Sequence, residues 1–194
     1  MEKIITERLI LREAKTSRDE SPFHKMLREE GDFKAYCGFD YSEDIMRNFY
    51  GYFDHGECHY SVFEKDNDAE MIGYVGIALH ETGSYEAEFY ISRPYRNKGY
   101  CTEALKVLID AYFEGRLPVR DADNHQEELS FLYATFLEDN EPVRRVLGKC
   151  GFEENPERVL LCQIFIDKKT DEATGFDVDE LLLTKKRWEE NREI

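Results

Sequence analysis

The run Arg96-Asn97-Lys98-Gly99-Tyr100-Cys101-Thr102 holds the residue types best suited to chemistry in this chain. It follows a strand-like stretch, Tyr85 to Ile91, and opens a helical one, Thr102 to Glu114, whose Leu105, Leu108, Ile109 and Tyr112 mark an apolar face. At a helix start several unpaired N–H groups point the same way and the helix dipole adds partial positive charge, which suits a phosphate or pyrophosphate. Gly99 lets the main chain approach such a ligand closely or adopt a positive φ. The phosphate-binding patterns G-x-x-x-x-G-K-[ST] and G-x-G-x-x-G do not occur. On its own the run also fits a tight turn flanked by solvated charges.

Other residues invite chemical readings of their own. Strand alternation puts Glu86, Glu88 and Tyr90 on one face and Tyr85, Ala87, Phe89 and Ile91 on the other, and on that pattern alone Glu88 is an exposed strand carboxylate. A helix N-terminus would lend Cys101 thiolate character, but no evident base accompanies it. His55, Cys58 and His59 are close in sequence, yet their spacing matches no familiar metal site, and no metal is expected.

The elements that position these residues can be read in order. Ile4 to Arg12 alternates as a first strand, and Ser17 to Glu30 is helical with Gly31 as a stop. Ser42 caps a second short helix carrying Ile45, Phe49 and Phe53. Tyr60 to Glu64, Met71 to Leu79 and Tyr85 to Ile91 form an antiparallel meander, and Gly73 and Gly76 inside its middle strand indicate close backbone approach or a bulge. Gly115 to Glu128 is a polar loop, and Leu129 to Leu137 a strand buried on both faces. A helix follows from Asn140 to Lys149, with Pro142 in its first turn and Gly151 just beyond its end. Val159 to Ile166 and Glu180 to Lys185 are the last strands, Asp167 to Asp179 a charged loop, and the tail from Trp188 is polar and expected to fray. The class is α/β (α+β): a mixed, mostly antiparallel sheet of about seven strands flanked by helices.

Composition narrows the setting. The 194 residues, 41% hydrophobic, suit one domain spanning 1–194. A formal charge of -16 repels phosphate backbones and anionic lipid, so neither nucleic acid nor a membrane is expected as a partner, whereas a cationic small molecule or basic peptide would be attracted. Five scattered cysteines without a C-x-x-C pair read as reduced thiols, and no signal-peptide core or spanning apolar run is evident. A cytoplasmic location is expected.

Beyond these readings, the loop resembles the acetyl-CoA pyrophosphate motif [QR]-x-x-G-x-[GA] of the GNAT superfamily of N-acetyltransferases, with Cys101 in the last position where glycine or alanine is usual. Thr102-Glu103-Ala104-Leu105 is similar to the T-E-A-L run of the branch that acetylates ribosomal-protein alanine. Thr6-Glu7-Arg8-Leu9-Ile10-Leu11-Arg12 resembles that branch's T-x-R-L-x-L-R start, the stretch from Asn140 to Phe152 its N-x-x-S helix ending in G-F, and Trp188 its closing tryptophan. These signals stand in the family's order across nearly the whole chain.

The resemblance implies a splayed sheet whose fourth and fifth strands separate to admit the pantetheine arm of acetyl-CoA. It implies that backbone groups of Arg96, Asn97, Lys98, Gly99, Tyr100 and Cys101, with Thr102 nearby, receive the pyrophosphate. Backbone of Tyr90 and Ile91 would pair with pantetheine as an added strand, and the Asn140 side chain would bond the cofactor, cap its helix, or both. Glu88 matches a glutamate that relays the amine proton in related enzymes. The implied reaction is direct acetyl transfer to a primary amine on a protein N-terminus, a polyamine or an amino sugar, and a homodimer is common in the family. The family's serine and tyrosine proton donors fall at Val143 and Leu147, so Tyr133 or Tyr90 would have to substitute, the thiolate would leave unaided, or the chain would be an inactive CoA-binding sensor or partner module.

Overall fold

The computed structural model describes residues 3–30, 58–79, 84–119, 129–156, 161–166 and 173–192. The expected helix around Ile45, Phe49 and Phe53 lies outside them. So do His55 and most of the expected loop before Leu129.

The chain opens with a hairpin, β1 (Lys3–Ile5) against β2 (Leu9–Glu13), with Lys3 opposite Arg12. A single strand from Ile4 to Arg12 was expected, because both arms alternate and the turn between them contains neither Gly nor Pro. α1 (Thr16–Glu30) follows. β3 (His59–Glu64), β4 (Asn67–Leu79) and β5 (Tyr85–Ile91) form the expected meander. α2 (Tyr100–Phe113) leads to β6 (Phe131–Leu137), then α3 (Glu141–Lys149), the short β7 (Glu153–Glu154), β8 (Leu161–Ile166), β9 (Ala173–Thr184) and α4 (Lys185–Arg192).

These nine strands form one sheet in the order β1-β2-β3-β4-β5-β6-β9-β7, with β8 also paired to β9. Every pairing is antiparallel except β5 with β6. α2 lies on one face, where Leu105, Leu108, Ile109 and Tyr112 join Tyr60, Val62, Val75, Ile77 and Ala87 in the core. α1 lies on the other, with the Phe23 ring 5.1 Å from that of Tyr74.

Three expectations are corrected in the second half of the chain. β6 is not buried on both faces: Leu132, Ala134 and Phe136 are buried, whereas Phe131 is 45% exposed. Much of the expected charged loop is strand, because β9 begins at Ala173 and Asp179 is buried where it pairs with Arg144. The tail is helical to Arg192, since Trp188 stacks on Phe113 and donates its indole N–H to Asp110 at 2.8 Å. Among the described residues no helix is long and apolar enough to cross a membrane.

Candidate active site

Three adjacent strands set a row of residues on the α1 face. His59 on β3 is opposite Gly76 on β4, and Gly76 is opposite Glu88 on β5. The His59 ring occupies the space a side chain at position 76 would take: a Cβ there would stand 2.2 Å from His59 Cδ2 and 2.8 Å from Nε2. The ring therefore crosses β4 and brings Nε2 to 3.2 Å from Glu88 Oε2. A carboxylate only accepts, so Nε2 carries the hydrogen. The His59 side chain is 3% exposed and that of Glu88 35%, which leaves the carboxylate open to solvent and its partner closed off.

β5 has one paired and one open edge. On the β4 side it is registered from Tyr85 to Ile91, and Ser92 N–H continues the ladder to Ile72 O at 2.9 Å. On the β6 side the only ladder pair among the described residues is Glu86 with Tyr133, beside which Thr135 Oγ1 donates to Glu86 at 3.1 Å. This is the splay expected between fourth and fifth strands, renumbered because the first strand is a hairpin. Antiparallel alternation, with the bond at Ser92 as reference, turns the main chain of Tyr90 toward Tyr74 and that of Phe89 and Ile91 toward the gap. Tyr90 is thus corrected as a main-chain partner for an inserted ligand, because its amide and carbonyl face β4. Arg96 Nε donates to Ile91 O at 2.7 Å, and its guanidinium lies 5.1 Å from the centre of the Tyr90 ring.

At the far end of this gap the chain makes a short 3₁₀ turn, Arg93–Tyr95, before α2. Asn97 and Gly99 have φ of 61 and 82, and the first helical bond runs from Glu103 N–H to Gly99 O at 3.0 Å. Arg96 N–H is bonded to Arg93 O at 3.2 Å, so its amide is corrected from the expected anion-binding set. The N–H groups of Asn97, Lys98, Gly99, Tyr100, Cys101 and Thr102 have no hydrogen-bond acceptor among the described residues. A run of bare amides with two left-handed residues is what a diphosphate needs, so the residues present fit the group the resemblance implies.

Side chains from elsewhere brace this mouth. Thr6 Oγ1 and Arg8 N–H donate to Glu103 Oε1 at 2.5 and 2.9 Å, and Arg8 Nε to Oε2 at 2.7 Å. Arg8 Nη1 also donates to Lys98 O at 2.8 Å, and its guanidinium lies 4.8 Å from the centre of the Tyr100 ring. Burial pushes the Glu103 carboxyl up, but the hydrogen bonds from Thr6 and Arg8 and the Arg8 charge outweigh it and hold it below the usual carboxylate range. Tyr100 donates its hydroxyl to Glu64 at 2.6 Å, and Lys98 Nζ sits 4.9 Å from the centre of the Tyr95 ring.

The remaining candidates settle as follows. Burial pushes the Cys101 thiol far above its ordinary value and that of Cys150 up to about 12, which removes both as thiolate nucleophiles. Asn140 caps α3, its Oδ1 accepting from Val143 N–H at 3.4 Å. Leu147, where the family's tyrosine would fall, is completely buried and offers no proton. Among the described residues no group of three His, Cys, Asp or Glu side chains could hold a metal ion. Sequence reading missed Arg8, Glu103 and the partnership of His59 with Glu88. The first two were visible only as members of two motifs, T-x-R-L and T-E-A-L, with nothing to say that they touch.

Residues 8–153 match the family model of the acetyltransferase (GNAT) domain. Comparison with curated proteins returns no match. Solved structures of similar fold include the GNAT-family acetyltransferase from Bacillus anthracis, 19% identical, covering 95% of this chain and 99% of that one with a TM-score of 0.68. An acetyltransferase from Agrobacterium tumefaciens is 18% identical, covering 93% and 94% with a TM-score of 0.64. The ribosomal-protein-S5-alanine acetyltransferase from Vibrio fischeri is 16% identical, covering 96% and 98% with a TM-score of 0.64. At such identities the likeness is one of fold.

Proposed function

The chain belongs to the GNAT acetyltransferase family, and on that premise we propose that it transfers the acetyl group of acetyl-CoA directly to a primary amine on a protein N-terminus, a polyamine or an amino sugar. One observation carries the reading: the open edge of β5 runs from Glu88 to a helix mouth whose six successive amides, Asn97 to Thr102, are bare among the described residues. We assign those amides to the pyrophosphate, the main chain of Phe89 and Ile91 to the pantetheine, and the Asn140 amide nitrogen to a further cofactor contact. Acetyl-CoA would supply there an acyl group activated as a thioester.

The protein's own part is to hold and deprotonate the amine. Glu88, with its open carboxylate, takes the ammonium proton, directly or through water. Amides on the gap side of β5 lie where they can polarise the thioester carbonyl, and they need no reorganisation to do so. A thiolate leaves readily, so the absence of a proton donor at Val143 and Leu147 does not block the reaction. The whole chain is read as one domain, at work in the cytoplasm with its cysteines reduced. A homodimer is the assembly to look for by light scattering.

The test follows thiol release from acetyl-CoA with a panel of amines, beside calorimetry of CoA binding. Turnover is expected, and Glu88→Gln should lower kcat by about 10²- to 10⁴-fold with CoA affinity unchanged. The second reading, a CoA-binding module without turnover, is favoured by Val143 and the buried Leu147, and would prevail if CoA bound but no amine were acetylated.

A further inference from the structure

The row His59, Gly76, Glu88 does more than fill a sheet face. A histidine whose side chain is 3% exposed and a glycine inside a strand are each unfavourable for a sheet. Here the second makes room for the first: without a Cβ on Gly76 the imidazole passes over β4 and reaches the carboxylate two strands away. We propose that His59 is a positioning residue for acetyl transfer, its Nε2–H fixing Glu88 Oε2 so that Oε1 faces the incoming amine. This rests on the reading of Glu88 as the base.

A glutamate on an open strand face explores several rotamers, and each unproductive one lowers the fraction of enzyme ready to react. The hydrogen bond from a buried, sterically confined ring removes that freedom before substrate arrives. Among the described residues no hydrogen bond reaches Oε1, so the oxygen left over is the one able to accept a proton. The main chain of His59 is fixed by Ala14 N–H, which donates to its carbonyl at 2.8 Å, and the ring fills the space beside Gly76 on β4.

Steady-state kinetics with thiol release would be measured for the wild type, His59→Leu, His59→Gln, Gly76→Ala, Glu88→Gln and the double variant His59→Leu with Glu88→Gln. His59→Leu should lower kcat by up to about 100-fold with the KM for acetyl-CoA within about twofold. His59→Gln, which keeps an N–H donor, should recover most of the rate. Gly76→Ala should reproduce the loss with His59 present, by driving the ring from its place, and it keeps the test alive if His59→Leu does not fold. In the Glu88→Gln background, His59→Leu should cost nothing further. Wild-type kcat in His59→Leu, a Gln variant no better than Leu, or an undiminished loss in the double variant would each overturn the proposal while leaving Glu88 as the base. An unchanged kcat in Glu88→Gln would instead remove the base, and the positioning role with it.

Discussion

Along its β4 edge β5 is registered residue for residue from Tyr85 to Ile91, whereas along its β6 edge the one ladder pair among the described residues is Glu86 with Tyr133. The two edges belong to one strand and one sequence, so the difference comes from what flanks it. On the β4 side Gly73 lets the strands close up: a Cβ there would stand 2.2 Å from Tyr90 O. On the β6 side a parallel neighbour enters after a long connection and diverges. Main-chain groups need partners, so an edge that ends its ladder early offers pairing to an added extended ligand.

The contrast can be broken from either side. The largest effect is expected from Gly73→Ala, which forces a methyl against main chain and should destabilise the fold by about 3 kcal/mol, read as a shift in the urea midpoint. A loss below about 0.5 kcal/mol would show that the close approach is not what seals the paired edge. Gly99→Val works at the end of the open edge, where φ is 82 and Arg8 Nη2 lies 3.3 Å from the new Cβ. It should cost about 2 kcal/mol of stability and at least about tenfold in CoA affinity by calorimetry; retained affinity would move the diphosphate elsewhere.

Glu103→Gln probes the strap between the hairpin and the helix mouth. Because the folded carboxyl is held below its ordinary value, its contribution is present above the unfolded pKa and lost as pH falls through the folded one. The variant should therefore be less stable than wild type by about 1 kcal/mol at neutral pH and nearly equal to it in acid. Melting curves with a pH-independent gap would remove the charge from the explanation. The smallest change is expected from Thr135→Val, which deletes the side-chain bond to Glu86 beside the lone β5–β6 pair. It should cost about 0.5 to 1 kcal/mol without altering CoA affinity.

Local pattern carried much of this fold. Alternation and turn chemistry gave β3, β4 and β5, helical spacing gave α2, and Pro142 with Gly151 bounded α3. What depends on long-range contact was invisible. The β1–β2 hairpin turns at Thr6-Glu7-Arg8 without Gly or Pro because Thr6 closes it locally onto Leu9 and Glu103, on α2, holds Thr6 and Arg8. α4 was read as a fraying tail because its stability comes from Trp188 against Phe113 and Asp110, not from an apolar stripe. The glycine turn before α2 and the face of β5 that carries Glu88 were legible from spacing. Tyr90 and Arg96 were assigned main-chain roles that strand phase and a 3₁₀ turn exclude, since those groups are already paired within the protein. Close backbone approach, expected at both strand glycines, is found at Gly73, whereas at Gly76 it is the His59 side chain that approaches, and no local rule names it because His59 becomes a neighbour only through register.

The bonds from Thr6 and Arg8 to Glu103 join positions 97 and 95 residues apart. On a ribosome adding roughly 5 to 20 residues per second, Thr6 and Arg8 are made about 5 to 20 s before their carboxylate partner. Until then the first hairpin is held only by its own pairing and by β3, and the mouth of α2 loses the Thr6 and Arg8 bonds afterwards if that arm is clipped. A peptidase that removed Thr6 and Arg8 would thus unbrace a helix mouth encoded almost a hundred codons downstream.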